Sequence, residues 1–199
     1  MLAVLALAVA TSLPPVAVDV YAAPELPRTF VDAMLAETDA IWRDAGVTFA
    51  WRVVDRGQDG DDDCLLRVTI DGAAPPVVGG ETAIAWIDFD PNDPRGAEIH
   101  LLVRKALGNL ERLRRIAGAP VLPPVRMSAM VAPAMGRALA HELGHYLLGS
   151  DAHTDRCLMH APWSEDEFFG PDRPRVCFDA DERRTIAMTV VRAALVARR

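Results

Sequence analysis

Residues 133–163 read PAMGRALAHELGHYLLGSDAHTDRCLMHAPW, and the rest of the chain is best read outward from them. Met135, Leu139, Leu143 and Leu147 recur at i, i+4 intervals, so the spacing predicts a helix from Pro133, a residue suited to a first helical turn, to Leu148, where Gly149 ends it. The stripe gives this helix one buried side. Beside it stand His141 and His145, four residues and hence one turn apart, where both imidazoles can point at a single ion. Glu142 is turned by about 100° from His141 in a 3.6-residue helix, which sets its carboxylate beside such an ion as a general base for water. With five His and nine Glu in 199 residues, chance would produce this HExxH spacing in about one such chain in 180.

The composition surrounding the motif is that of an ordinary globular protein, 51% hydrophobic, 25% charged and 6% aromatic, and 199 residues suit one domain. Lys plus Arg number 21 against 28 Asp plus Glu, a net charge of −7, and no basic run is long enough to track a phosphate backbone; nucleic acid is not an expected partner. Nor does any stretch reach the roughly 20 apolar residues that an integral membrane helix requires. Residues 2–10 form an unbroken apolar run of the length of a secretory h-region, with Ala8-Val9-Ala10 as a cleavage site but no basic residue ahead of Leu2. The expectation is an exported protein (secreted or periplasmic) with a leader over 1–12 and a single domain over 13–199.

Cys64, Cys157 and Cys177 cannot all pair within one chain and show no CxxC spacing, so a thiolate metal site is not expected. In an exported protein one bridge is expected, Cys157 with Cys177, which flank one loop; the alternative is three buried thiols. Strands are expected at 16–21 (VAVDVY), 47–54, 65–70, 83–89 and 97–103, with an acidic loop over 57–63 and a turn over 91–94. Helices are expected at 29–45, where Phe30, Met34, Ile41 and Trp42 keep helical spacing ahead of Gly46, and at 104–116, which is basic. A last helix is expected from Asp179, which stands in capping-box spacing with Glu182.

Past His145 the chain supplies Gly149, Asp151, His153 and Met159. HExxH followed by a turning glycine, a third ligand and a methionine resembles the metzincin clan of zinc metallopeptidases. More closely, residues 141–163 are similar to short exported bacterial zincin-like proteins whose stretch looks like HExGHxLLGSxxHxxxxLMxxxW. The resemblance implies a small zincin-like α+β domain with a mixed twisted sheet, a backing helix, an active-site helix carrying HExxH and a C-terminal helix. It also implies Zn²⁺ held by His141, His145 and His153, with Glu142 as the general base of peptide-bond hydrolysis. The usual clan spacing puts the glycine three residues and the third ligand six residues after the second histidine, and those places hold Leu148 and Asp151 here. Two assignments follow, a longer turn that brings in His153 or an ungapped one in which Asp151 is the ligand.

Met159 resembles the methionine that packs beneath the clan's ligands, and its bland alternative is a core methionine. His160 suits either an oxyanion donor or an exposed loop position. The segment 97–103, with His100, resembles the edge strand on which such peptidases hold substrate. Glu165, Asp166 and Glu167 offer the gluzincin alternative for a third ligand, while Trp163, Phe168 and Phe169 suit packing or a pocket wall. Besides a metalloendopeptidase, the same ligands would serve a non-catalytic, zinc-stabilised binding or structural module of zincin-like fold.

Overall fold

The computed structural model describes residues 13–54, 65–70, 83–90 and 93–196. The expected leader, the acidic loop, Cys64 and the first half of the 91–94 turn lie outside the described residues. The fold is mixed α and β. Strands β1 (Val16–Ala22), β2 (Phe49–Val54), β3 (Leu66–Ile70), β4 (Ala85–Asp90) and β5 (Asp93–Leu101) form one sheet in the order β2-β1-β3-β5-β4. The first three pairings are parallel, and β4 runs antiparallel to β5.

Alternation explains why these segments are strands. In β1 the residues Val16, Val18 and Val20 are buried, and so are Leu66, Val68 and Ile70 of β3 and Ala97, Ile99 and Leu101 of β5, each two residues from the next. One strand expectation needs correcting. The His100 segment is internal, between β3 and β4, and among the described residues β4 forms the edge on this side of the sheet, with β2 at the other. Its antiparallel return through Trp86, Ile87 and Asp88 covers that side of β5.

The helices are α1 (Arg28–Arg43), α2 (Val103–Ile116), α3 (Pro124–Leu148), α4 (Glu165–Phe169) and α5 (Ala180–Val196). The central helix starts nine residues earlier than Pro133: Pro124 occupies its first turn, and Pro133 sits inside it. An interior proline removes one backbone hydrogen bond and crowds the preceding turn, normally a large penalty. Here the helix continues because it is packed against α1, α2, α4, α5 and two strands. For the same reason it is not buried along one side only; from Ala134 to Leu147 every residue is buried.

α1 docks on α3 through side chains that reach the helix backbone. Thr38 Oγ1 donates toward Gly136 O at 2.9 Å and Met34 O at 3.1 Å, and Trp42 Nε1 donates to Ala140 O at 3.1 Å. These bonds satisfy the polar atoms of two fully buried side chains without opening a void. Phe178, just ahead of α5, stacks on Trp42 at 5.5 Å, and so ties the C-terminal segment to the same core. At the start of α5, Asp179 Oδ1 accepts from the Glu182 amide while Glu182 Oε2 accepts from the Asp179 amide, the reciprocal capping box the spacing predicts.

Candidate metal centre and cleft

α3 presents His141 and His145 on one face, and the chain turns at its end to supply a third imidazole. Gly149 adopts φ 62°, ψ 35°, a left-handed conformation that a side chain disfavours. The turn folds the next residue back, so that Ser150 O accepts from His145 Nδ1 at 2.8 Å. His141 Nδ1 donates to Leu158 O at 2.7 Å. A carbonyl only accepts, so each Nδ1 carries the proton and each Nε2 presents a lone pair.

Those lone pairs converge. His141 Nε2 lies 3.1 Å from His145 Nε2 and 3.2 Å from His153 Nε2, and the ligand atoms of all three lie within 4.8 Å of one another. Between His141 and His145, whose Nε2 atoms both present lone pairs, such a distance is repulsive unless a cation sits there. Two Zn–N bonds of about 2.0–2.1 Å at a tetrahedral angle separate the nitrogens by about 3.3 Å, so the donor set fits a divalent ion of this size. Burial lowers the pKa of His141 to about 4 and depresses that of His145 as well, which keeps both rings neutral and ligand-competent.

The structure thus brings His153 to the centre by the longer turn. Asp151 is exposed and supplies no atom to the converging group; its negative charge reaches His145 only as a minor influence beside burial. The gluzincin alternative finds no support at Glu167, whose carboxylate accepts from the Ser164 amide and hydroxyl at 2.7 and 2.6 Å.

The loop that carries His153 is closed at several points. Thr154 N donates to Met159 O at 2.9 Å, Leu158 N donates to Arg175 O at 2.9 Å, and Cys157 is disulfide-bonded to Cys177, 20 residues on. Closing a loop of that size stabilises a fold by about 3 kcal/mol in the chain-entropy account, here at the segment that delivers a ligand.

Met159 is buried directly under the histidine turn. A Cβ on Gly144, between the two helical histidines, would lie 2.2 Å from Met159 Sδ, so the methionine occupies space that only glycine leaves. Gly144→Ala forces the Met159 thioether out of this space and is accordingly expected to lower stability by about 1–3 kcal/mol, the cost of repacking a buried side chain beneath the histidines, and to weaken metal binding as the floor of the site shifts. Thermal melts with and without zinc measure both; an unshifted melting temperature would show that Met159 does not fill this space.

Glu142 is 8% exposed and lines, with His141, a cleft of about 650 Å³. Its carboxylate has no hydrogen-bond partner among the described residues, and burial raises its pKa to about 7. Ile84 and Ala85 at the start of β4, Asn109, Arg112 and Leu113 of α2, and Trp163 with Phe168 line it as well. Trp163 packs edge-on to His141 at 5.8 Å. His160 also lines the cleft, half-buried, with Nδ1 4.0 Å from Glu167 Oε1. His100 is elsewhere, stacked on Trp86 at 4.6 Å with Asp88 Oδ2 3.4 Å away.

Sequence reasoning missed Arg137. Four residues before His141, it is 3% exposed; its Nη1 donates to Gly170 O at 2.7 Å and Phe168 O at 3.0 Å, and its Nε to Glu37 Oε1 at 3.4 Å. Glu37 Oε2 in turn accepts from Arg173 Nε at 2.8 Å. A buried guanidinium thus anchors the carbonyl end of α4 and the aromatic wall of the cleft to the helix that carries the histidines. The signal was available: a cation between Met135 and Leu139 in a buried pattern needs a partner. No protein-family model matches this chain, and no curated protein sequence matches it.

Proposed function

We propose that the protein is a zinc-dependent endopeptidase of the metzincin type. The observation that carries the reading is the pairing, on one open cleft, of three converging imidazole nitrogens with a carboxylate that has no hydrogen-bond partner among the described residues. His141, His145 and His153 would hold the ion. Bound there, zinc supplies a Lewis acid for a carbonyl oxygen and lowers the pKa of water toward about 7.

The remaining chemistry falls to the chain's own side chains. Glu142, buried and with no hydrogen-bond donor to it among the described residues, accepts a proton from the attacking water and returns it to the departing amine. The carbonyls of Leu158 and Ser150 hold the rings of His141 and His145 in the tautomer that leaves Nε2 free. Trp163 and Phe168, apolar residues in the cleft's lining, would shield a bound peptide from water on their side. The outer edge of β4, unpaired among the described residues and beginning at Ala85 in the cleft's lining, suits an extended peptide added as a further strand. A structural zinc site would need neither the base nor the cleft.

Export fits the Cys157–Cys177 bridge, since disulfides persist in oxidising compartments. The test is digestion of a mixed peptide library by protein of measured zinc content. Cleavage is expected, abolished by a chelator and restored by added zinc; zinc-loaded protein that cuts no peptide refutes the reading.

A further inference from the structure

The segment 103–126, which is α2 and the turn into α3, carries Arg104, Lys105, Arg112, Arg114, Arg115 and Arg126 against the single carboxylate of Glu111. It is thus net +5 in a chain whose total is −7. Several of these cations are occupied. Lys105 Nζ donates to Ala83 O at 2.8 Å, Arg114 donates to Pro120 O at 3.0 Å, and Arg115 lies 3.6 Å from Glu111. Arg112 is different: it is exposed, has no hydrogen-bond or ion-pair partner among the described residues, and lines the same cleft as Glu142.

Ile84, Leu113, Trp163 and Phe168 give the same cleft a largely apolar lining, with Asn109, His160 and Ser164 as further polar residues. From this juxtaposition we infer that the cleft selects peptides in which an apolar residue is flanked by an acidic one, with Arg112 receiving the Asp or Glu carboxylate. The inference rests on the endopeptidase reading for its reaction but not for its binding. A guanidinium offers a planar fork matched to a carboxylate, and Arg112, exposed on the cleft, is open to receive one, while the apolar lining takes the neighbouring side chain. The exposed Ile116, Val121 and Val125 on the following turn would also suit an anionic bilayer. A peptide is favoured because Arg112 and Leu113 face the cleft that holds His141 and Glu142.

The experiment uses the zinc-loaded full chain, its Arg112→Glu and Arg112→Leu variants, and matched peptides that differ only in Glu, Gln or Lys beside an apolar residue. Cleavage sites and kcat/KM are measured first; binding of the same fluorescent peptides to the Glu142→Gln variant, with and without Arg112→Glu, is measured in parallel. The expected result is a preference for the Glu peptide over the Lys peptide of about tenfold, mainly in KM, that Arg112→Leu removes and Arg112→Glu inverts at unchanged zinc content. A preference that survives Arg112→Glu, or cleavage indifferent to charge, overturns the inference while leaving the hydrolase intact. Arg112-dependent binding of the Glu peptide without turnover by the wild-type protein sustains the inference and refutes hydrolysis. Charge-indifferent peptide binding together with Arg112-dependent binding to phosphatidylglycerol vesicles assigns the basic face to a membrane surface and overturns it.

Discussion

Glu142→Gln is expected to leave zinc content unchanged and to lower kcat for peptide cleavage by about 10³-fold or more, because the amide preserves shape but accepts no proton. The same substitution has a second signature that needs no substrate. In the metal-free protein burial raises the Glu142 pKa from 4.5 to about 7, so the folded state retains a proton that the unfolded chain releases between those values. Holding this carboxylate ionised therefore destabilises the fold above about pH 7, and the penalty is absent below pH 4.5. At pH 8 the metal-free Gln variant should be more stable than the parent by up to about 3 kcal/mol, with the difference fading as pH falls. Zinc beside the carboxylate favours its ionised form, so the gap should narrow in the metal-loaded pair. Chemical denaturation of both proteins at pH 4 and pH 8, with and without zinc, measures all four differences; equal stability of the metal-free proteins at pH 8 would show that Glu142 is solvated.

What the sequence makes legible here follows how local the cause is. The HExxH turn, the stop at Gly149 and the Asp179–Glu182 box depend on residues within one or two turns of each other, and each is present as the spacing implies. The apolar buried faces of β1 and β3 follow from alternation, although Asp19 on the other face of β1 is buried too. The start of α3 was hidden because Pro133 is a local stop signal that tertiary packing overrides, and α3 is enclosed by partners that its own periodicity does not name. Strand order was equally non-local: β4 takes the edge and β5 the interior, a matter of pairing rather than composition. Arg137 illustrates the same limit at the site, since its acceptors lie 31 and 33 residues further along the chain.

The choice between His153 and Asp151 is where spacing and folding diverge, and it yields the second large effect. An ungapped turn would leave Asp151 two residues short of His153, but Gly149 directs Ser150 O onto His145 and carries the following residues outward, so that Asp151 is exposed and the ring of His153 returns. His153→Ala is expected to weaken zinc binding by about 10²-fold or more, roughly a ligand's share of the binding energy of a structural zinc site. Asp151→Ala should change it by less than about tenfold, the range of an outer charge acting through His145. Competition titration with a chromophoric chelator ranks the two variants, and the reverse ranking would return the third position to Asp151. His153 differs from its partners in one respect: no described group holds its Nδ1, whereas carbonyls fix the other two rings. Its placement depends on the loop, and hence on the Thr154–Met159 contact and the Cys157–Cys177 bridge. Reducing that bridge should therefore reproduce part of the His153→Ala loss while leaving the pair on α3 in place, which separates a ligand delivered by a closed loop from two supplied by a rigid helix.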